Sequence, residues 1–369
     1  MIGCETMVIT NPNITCLEEI VESLPAKEKG LFCRIYSVTT TEGELRTPQS
    51  MQPWVRQQFG SVEAVTRQKI VKVTNMVTHE GALFNRLRNL RPIEVKDENT
   101  LDAQLLEASK KNPFSYPEEN TPEDSFGRVV GKHCVTASNI AKYDGLHGLV
   151  IFNEFDPLRF SREQVIDYID VAWEWAKRAQ ANQPQAKYFL FVWNCLWRSG
   201  ASIYHGHAQV MLTSGRHYAK IEGLRQAALS YKQNYGSYYF NDLFHVHRSV
   251  GCALEKEGVK ILASLTPFRD NEVVLICDEL NLSLKEKIYE VLACLRDRLG
   301  VTSFNLSLVT PPLSQSKESW EGFPVIVRVL DRGDPKIRAS DVGGVEIYAS
   351  SVVSSDPFKI ARQLKQCFD

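Results

Sequence analysis

The sequence predicts an α+β fold built from a duplicated unit, with antiparallel strands forming the sheet or sheets and helices packed on one face. Three observations carry this expectation. Short runs alternate apolar and polar residues with period 2, while longer runs repeat with the helical period. The order strand, strand, helix, strand, strand occurs twice along the chain, provided that one further strand precedes His147. A repeated unit of this size suggests that the two sheets join into one larger antiparallel surface.

In the first unit His147–Asn153 reads as a strand. Ser161 and Gln164 form a capping box, which opens a helix reaching about Ala181, with Val165, Ile169, Ala172 and Ala176 on one face. Lys187–Asn194 and the segment around His205 follow as strands. The second unit repeats the order, with strands near Val259–Ser264 and Glu272–Cys277, a helix over about Leu284–Leu299, and strands at Ser303–Thr310 and Pro324–Leu330.

Between the units, residues 215–251 read as two helices, because Ala227, Ala228 and Leu229 precede an aromatic stretch with no sustained alternation. This stretch contains His245 and His247. Residues two apart on a helix do not share a face, so packing or surface roles are expected for the pair. Before His147 the pattern is weaker, with short helices expected near Leu17–Leu24 and Pro53–Phe59. The expected organisation is an N-terminal extension over residues 1–80, a first half over 81–215 that carries the chemistry, and a second half with a C-terminal segment over 216–369.

Composition narrows the function classes. A chain of 369 residues, 43% hydrophobic, can bury one large or two moderate cores. Its formal net charge of −1 and its lack of long Lys/Arg runs argue against nucleic-acid or membrane partners. No apolar stretch is long enough to span a bilayer, and Met1–Thr6 lacks the basic start and apolar core of a secretory signal, so a cytoplasmic protein is expected. The nine cysteines, an odd number and widely scattered, suit reduced thiols better than a disulfide framework.

The run Gly200–Val210 sets His205, His207 and Gln209 two residues apart, so on a strand all three project from one face. Asn194, Gly200 and Ser202 lead into that strand with polar groups and a glycine that permits close approach. A neutral imidazole at His207 can attack the α-phosphorus of a nucleoside diphosphate compound, splitting one hard displacement into two easier ones. Its other ring nitrogen needs an acceptor, which a backbone carbonyl or the neighbouring His205 can supply. The Gln209 amide, the Ser202 hydroxyl and the Gly200 backbone can donate to phosphoryl oxygens where negative charge develops.

This string, Asn194-x5-Gly200-x-Ser202-x2-His205-x-His207-x-Gln209, resembles the active-site signature of the galactose-1-phosphate uridylyltransferase-like branch of the histidine-triad (HIT) superfamily. The resemblance runs over roughly residues 82–352 and implies duplicated HIT-like units with a single active histidine strand. It also implies that glutamine, standing where the hydrolase branches have a third histidine, accompanies transfer to a second phosphate acceptor. Arg88-x-x-Arg91-Pro92 resembles the element from which an arginine reaches the nucleotide phosphates, and a guanidinium can grip such oxygens through two hydrogen bonds. Asn112-Pro113-Phe114 resembles a segment of diadenosine tetraphosphate phosphorylases, and Asn139 falls where the family has an asparagine near the ribose. The segment Asp341–Ile347 resembles a hexose-contacting stretch, with Glu346 on the sugar-binding glutamate, although Val345 and Val352 depart from its pattern.

The zinc-binding members use a Cys-x-x-Cys pair, a later histidine and the first histidine of the active strand. This chain has no such pair, and Glu154–Pro157 stands around the later position. No metal and no cofactor are therefore expected, which leaves His205 to partner His207. The expected function is transfer of a nucleoside monophosphate from a nucleotide-sugar to a sugar 1-phosphate through a nucleotidyl-histidine. A phosphorylase of dinucleoside polyphosphates or nucleotide-sugars, using inorganic phosphate, and a catalytically inactive nucleotide sensor are the alternatives. A homodimer is expected from the family habit and from the aromatic stretch Tyr231–Phe244.

Overall fold

Strands at Tyr36–Glu44 (β1), Arg67–Asn75 (β2) and Gly81–Phe84 (β3) lie where the sequence pattern suggested only short helices. The outward faces of β1 and β2 carry Thr, Glu and Lys among few apolar residues, so no long apolar run marks those two, and β3 is only four residues long. The computed structural model describes residues 11–92, 112–337 and 344–368. The expected helices are present as Leu17–Ser23 (α1) and Gln52–Phe59 (α3), with Ala26–Ile35 (α2) between them.

The large sheet has nine strands, all paired antiparallel. In chain order they are Cys134–Ser138 (β4), Leu146–Phe152 (β5), Ala186–Cys195 (β6), His207–Ser214 (β7), Ala253–Lys256 (β8), Val259–Ala263 (β9), Val273–Cys277 (β10), Phe304–Val309 (β11) and Val325–Asp331 (β12). Their order across the sheet is β4-β5-β7-β6-β11-β12-β10-β9-β8. The two repeats meet where β6 pairs with β11, with Asn194 opposite Asn305 and Val192 opposite Ser307. The sheets of the two units are thus one continuous surface.

One face of this sheet is covered by helices Arg162–Asn182 (α4) and Leu282–Leu299 (α7) and by the C-terminal helix Pro357–Phe368 (α8). Helix α4 opens on the expected capping box, Ser161 accepting from the Gln164 N–H while the Gln164 side chain accepts from the Ser161 N–H. Its Val165, Ile169, Ala172 and Ala176 are buried, at the spacing that keeps side chains on one face of a helix. Trp175 lies flat over β5, and a Cβ on Gly148 would come within 2.9 Å of its ring, which is why that strand position takes glycine.

The second half is also covered on its opposite face. Helices Ala219–Tyr235 (α5) and Tyr239–Ser249 (α6) pack there with α1, α2 and the smaller sheet, in which a late strand, Ser350–Val353 (β13), runs parallel to β3. Tyr231, Tyr239, Phe240 and Phe244 are buried in this layer. Part of the aromatic stretch is therefore covered within the chain, by α1 and by N-terminal elements the sequence did not show, while Tyr235 and Tyr238 remain exposed. His247 is buried, donating from Nδ1 to the Leu243 carbonyl and accepting at Nε2 from the Leu265 N–H, while His245 is exposed.

An ion network joins the two sheets. Glu272, fully buried, accepts two hydrogen bonds from the Arg328 guanidinium at 2.8 and 3.0 Å, and Arg328 also reaches Glu80 of the smaller-sheet layer at 2.9 Å. Burial works to raise the Glu80 carboxyl, but Arg328 and Lys220 outweigh it and hold the group at about 2. Burial dominates at Glu272 and raises it despite the same arginine.

Candidate active site

The active strand begins at His207, not at His205. His205 precedes β7 in the bend that follows Gly200, and its ring turns away from His207. Its Nε2 donates to the Phe152 carbonyl at 2.7 Å, which leaves Nδ1 to accept from the Asn112 amide at 2.5 Å. What His205 supplies to His207 is its backbone. The His207 Nδ1–H donates to the His205 carbonyl at 2.7 Å, so Nε2 carries the lone pair. Burial depresses the His207 pKa, against the opposing pull of that carbonyl, and the imidazole is neutral at pH 7.

Gln209, two residues along β7, projects to the same face. Its Oε1 accepts from His147 Nε2 at 2.9 Å. His147 can donate there because the Tyr143 N–H occupies its Nδ1 at 3.0 Å, and burial keeps this ring neutral too. The Gln209 NH2 is thereby turned away from His147. The Asn139 amide lies 3.2 Å from the same His147 nitrogen, and its Oδ1 accepts from the Ala141 N–H. Tyr143 stacks on His147 with ring centroids 4.5 Å apart while remaining exposed.

The floor of this face is apolar. Leu149, Ile151 and Ala137 are buried beneath Phe114, with Ile203 packed against them, and the Phe114 ring meets His207 edge-on at 5.2 Å. Asn112 caps the turn that carries Phe114 by accepting its N–H at 3.0 Å, so one asparagine fixes both Phe114 and the His205 ring.

Across β6, Asn194 accepts from the Asn305 amide at 2.6 Å. Asn305 donates in addition to the Ser199 carbonyl at 2.8 Å and accepts from Arg332 at 2.6 Å. The loop after β6 is strained at Leu196, with φ of +71°, while Gly200 at +99° adopts a conformation open to glycine; such strain persists only where the surroundings hold it. Asn305 holds it at Ser199. Ser202 is exposed on the stretch between Gly200 and His205.

Neither protein-family models nor curated sequences match this chain. Solved structures do. An ADP-glucose phosphorylase from Arabidopsis thaliana, solved with bound ADP-glucose, is 14% identical with a TM-score of 0.59 over 79% of this chain and 96% of its own. A GALT-like protein from Arabidopsis thaliana is 15% identical, with a TM-score of 0.56 over 70% of this chain and 92% of its own. A uridylyltransferase is 15% identical, with a TM-score of 0.54 over 67% and 88% respectively. The chain shares the fold of these three structures.

On this fold the residues singled out in the sequence fall into two groups. His205, His207, Gln209, Asn139, Asn194, Gly200 and Ser202 lie on or beside the β5-β7-β6 face. Arg91 instead lines a cavity of about 980 Å³ beside the C-terminal end of β12, with Arg88 exposed on the adjoining turn. Glu346 pairs at 3.3 Å with Arg269, which lines the same cavity. Neither His207 nor Gln209 lines it. Asp341–Gly343, the start of the proposed sugar segment, lie outside the described residues.

Three residues of the candidate site escaped the sequence reading. His147 lay within a strand read only for its apolar residues, although a histidine in a fully buried strand is itself a signal. Asn305 and Arg332 belong to the half without a histidine strand, and no local pattern marks them. Among the described residues, no three His, Cys, Asp or Glu side chains form a metal-binding group, and no helix is long and apolar enough to cross a membrane.

Proposed function

We propose that this protein transfers a nucleoside monophosphate from a nucleotide-sugar to a sugar 1-phosphate through a covalent His207 intermediate. The observation that carries the reading is the tautomer of His207. Its Nδ1–H is committed to the His205 carbonyl, so the neutral ring keeps its lone pair on Nε2, and the same carbonyl stabilises the positive charge that develops as Nε2 attacks. In the first step Nε2 bonds to the α-phosphorus and the bond to the leaving sugar phosphate breaks. In the second the acceptor phosphate attacks that phosphorus and frees His207. The Gln209 NH2, aimed by His147, donates to a non-bridging oxygen in both steps. Gln209 is neutral and cannot protonate a leaving group, which favours a phosphate leaving group and a phosphate acceptor over water.

In this reading Asn139 contacts the ribose, Ser202 and the Gly200 backbone contact phosphate, and Arg88, Arg91 and Glu346 serve the phosphate and sugar groups. The test is intact mass after brief mixing with UDP-glucose, ADP-glucose, GDP-mannose or diadenosine tetraphosphate. A gain of one nucleoside monophosphate, lost on adding glucose 1-phosphate, is expected and identifies the base. Loss of the adduct to inorganic phosphate but not to sugar phosphates would instead identify a phosphorylase. Absence of an adduct with every donor refutes the proposal.

Asn305→Ala is expected to slow adduct formation about 10-fold, because Asn194 and the Ser199 carbonyl lose the amide that holds them. An unchanged rate would remove Asn305 from the site.

A further inference from the structure

Two cysteines far apart in the sequence meet where the C-terminal helix crosses α7. Cys294 is buried on α7 and Cys367 lies half-buried on the last turn of α8, with their Sγ atoms 2.7 Å apart although 73 residues separate them in the chain. Both are free thiols, and among the described residues no other pair of cysteine sulphurs is in hydrogen-bonding contact. Cys134 lies instead against the Asp167 carboxylate, and Cys277 accepts from the Asn281 amide. Around the pair, Ile360 and Leu364 of α8 are buried with Val291 and Leu295 of α7. The two thiols differ in reach. Burial pushes the Cys294 thiol up, and the neighbouring Cys367 adds to the rise, so Cys294 stays protonated and shielded from solvent. Cys367 keeps an accessible edge, and access governs which thiol meets an oxidant first.

We propose that Cys294 and Cys367 form a thiol–disulfide site, which a low-molecular-weight disulfide closes and a small dithiol reopens. In the first step the Cys367 thiolate attacks one sulphur of the small disulfide, a mixed disulfide forms, and one small thiolate leaves. In the second, Cys294 gives its proton to water and its sulphur attacks Cys367, expelling the other small thiolate. Two protein thiols are oxidised and one small disulfide is reduced to two thiols. The contact sets the resolving sulphur in place before the first bond forms, so the second step needs no rearrangement of the helices. Once closed, the bond ties α8 to α7 and removes the states in which α8 separates from the rest of the fold.

The test treats the reduced full chain with glutathione disulfide, alkylates the remaining thiols in denaturant and maps the digested protein by mass. A peptide joining Cys294 to Cys367 is expected, with two fewer alkylated thiols than in the reduced protein, and dithiothreitol should restore both. Cys294→Ala should stop at one glutathione on Cys367, and Cys367→Ser, a change at a half-buried position, should leave Cys294 unmodified. The disulfide form is expected to unfold at a urea concentration about 1 M above that of the reduced form, a difference absent in Cys367→Ser. Because the link is read in the wild-type chain, the result does not depend on how the variants fold. Both cysteines alkylated after treatment, a first link between any other pair, or equal urea midpoints for the two forms overturns the proposal.

Discussion

His207→Gly is expected to reduce nucleotidyl transfer by about 10⁴-fold or more and to abolish the covalent adduct, while a nucleotide donor still binds within a few-fold of wild type. Removing the ring deletes the nucleophile and opens a space beneath Phe114, but leaves the apolar floor of Leu149 and Ile151 and the Gln209 amide in place. The pH profile gives a second readout. Burial lowers the His207 pKa below the ordinary imidazole value of 6.5, so the neutral form still predominates there. A group depressed in this way loses its reactive form as pH falls through its lowered pKa. The rate of adduct formation should therefore reach half its plateau only below pH 6.5. A rate that halves near pH 6.5 would show that His207 is not held as its hydrogen bond implies. Turnover unchanged in His207→Gly would end the covalent mechanism.

The second large effect lies in stability. Arg328→Met is expected to cost about 3 kcal/mol, measured by urea unfolding, because it strands the Glu272 carboxylate with no counter-charge. The loss arises from the charge left behind rather than from the attraction removed. Adding Glu272→Gln should therefore restore part of it, since an amide is cheaper to bury than an unpaired carboxylate. If the double variant is less stable than Arg328→Met alone by the full effect of a second deletion, the network is additive and this account fails.

Much of the molecule was legible locally. The capping box at Ser161 and the apolar spacing of α4 are properties of neighbouring residues, so the helix could be placed almost to the residue. Strands β9 to β12 were legible in the same way, since their apolar runs are their own signal, whereas residues 215–251 showed two helices without their bounds and β8 was not read. β1 and β2 were not legible, because a half-exposed strand rich in Thr, Lys and Glu looks like a loop until its partner strand is known.

The site divides along the same line. The motif from Asn194 to Gln209 pointed to His207 as the candidate nucleophile, because residues two apart on a strand share a face. The sequence could not show that His205 serves His207 through its carbonyl, since a bend before β7 turned the ring toward Asn112. It could not show that His147 aims Gln209 or that Asn305, 111 residues away, holds Asn194. By itself the sequence determined most strands of the large sheet, the helices packed on it and the candidate nucleophile, all set by short-range periodicity and side-chain chemistry. Tertiary structure decided the tautomer of that nucleophile, the donors around it and the separation of the arginines from it. Those depend on which strands lie side by side and in what register, and register is fixed only when both halves of the sheet bury their apolar faces together.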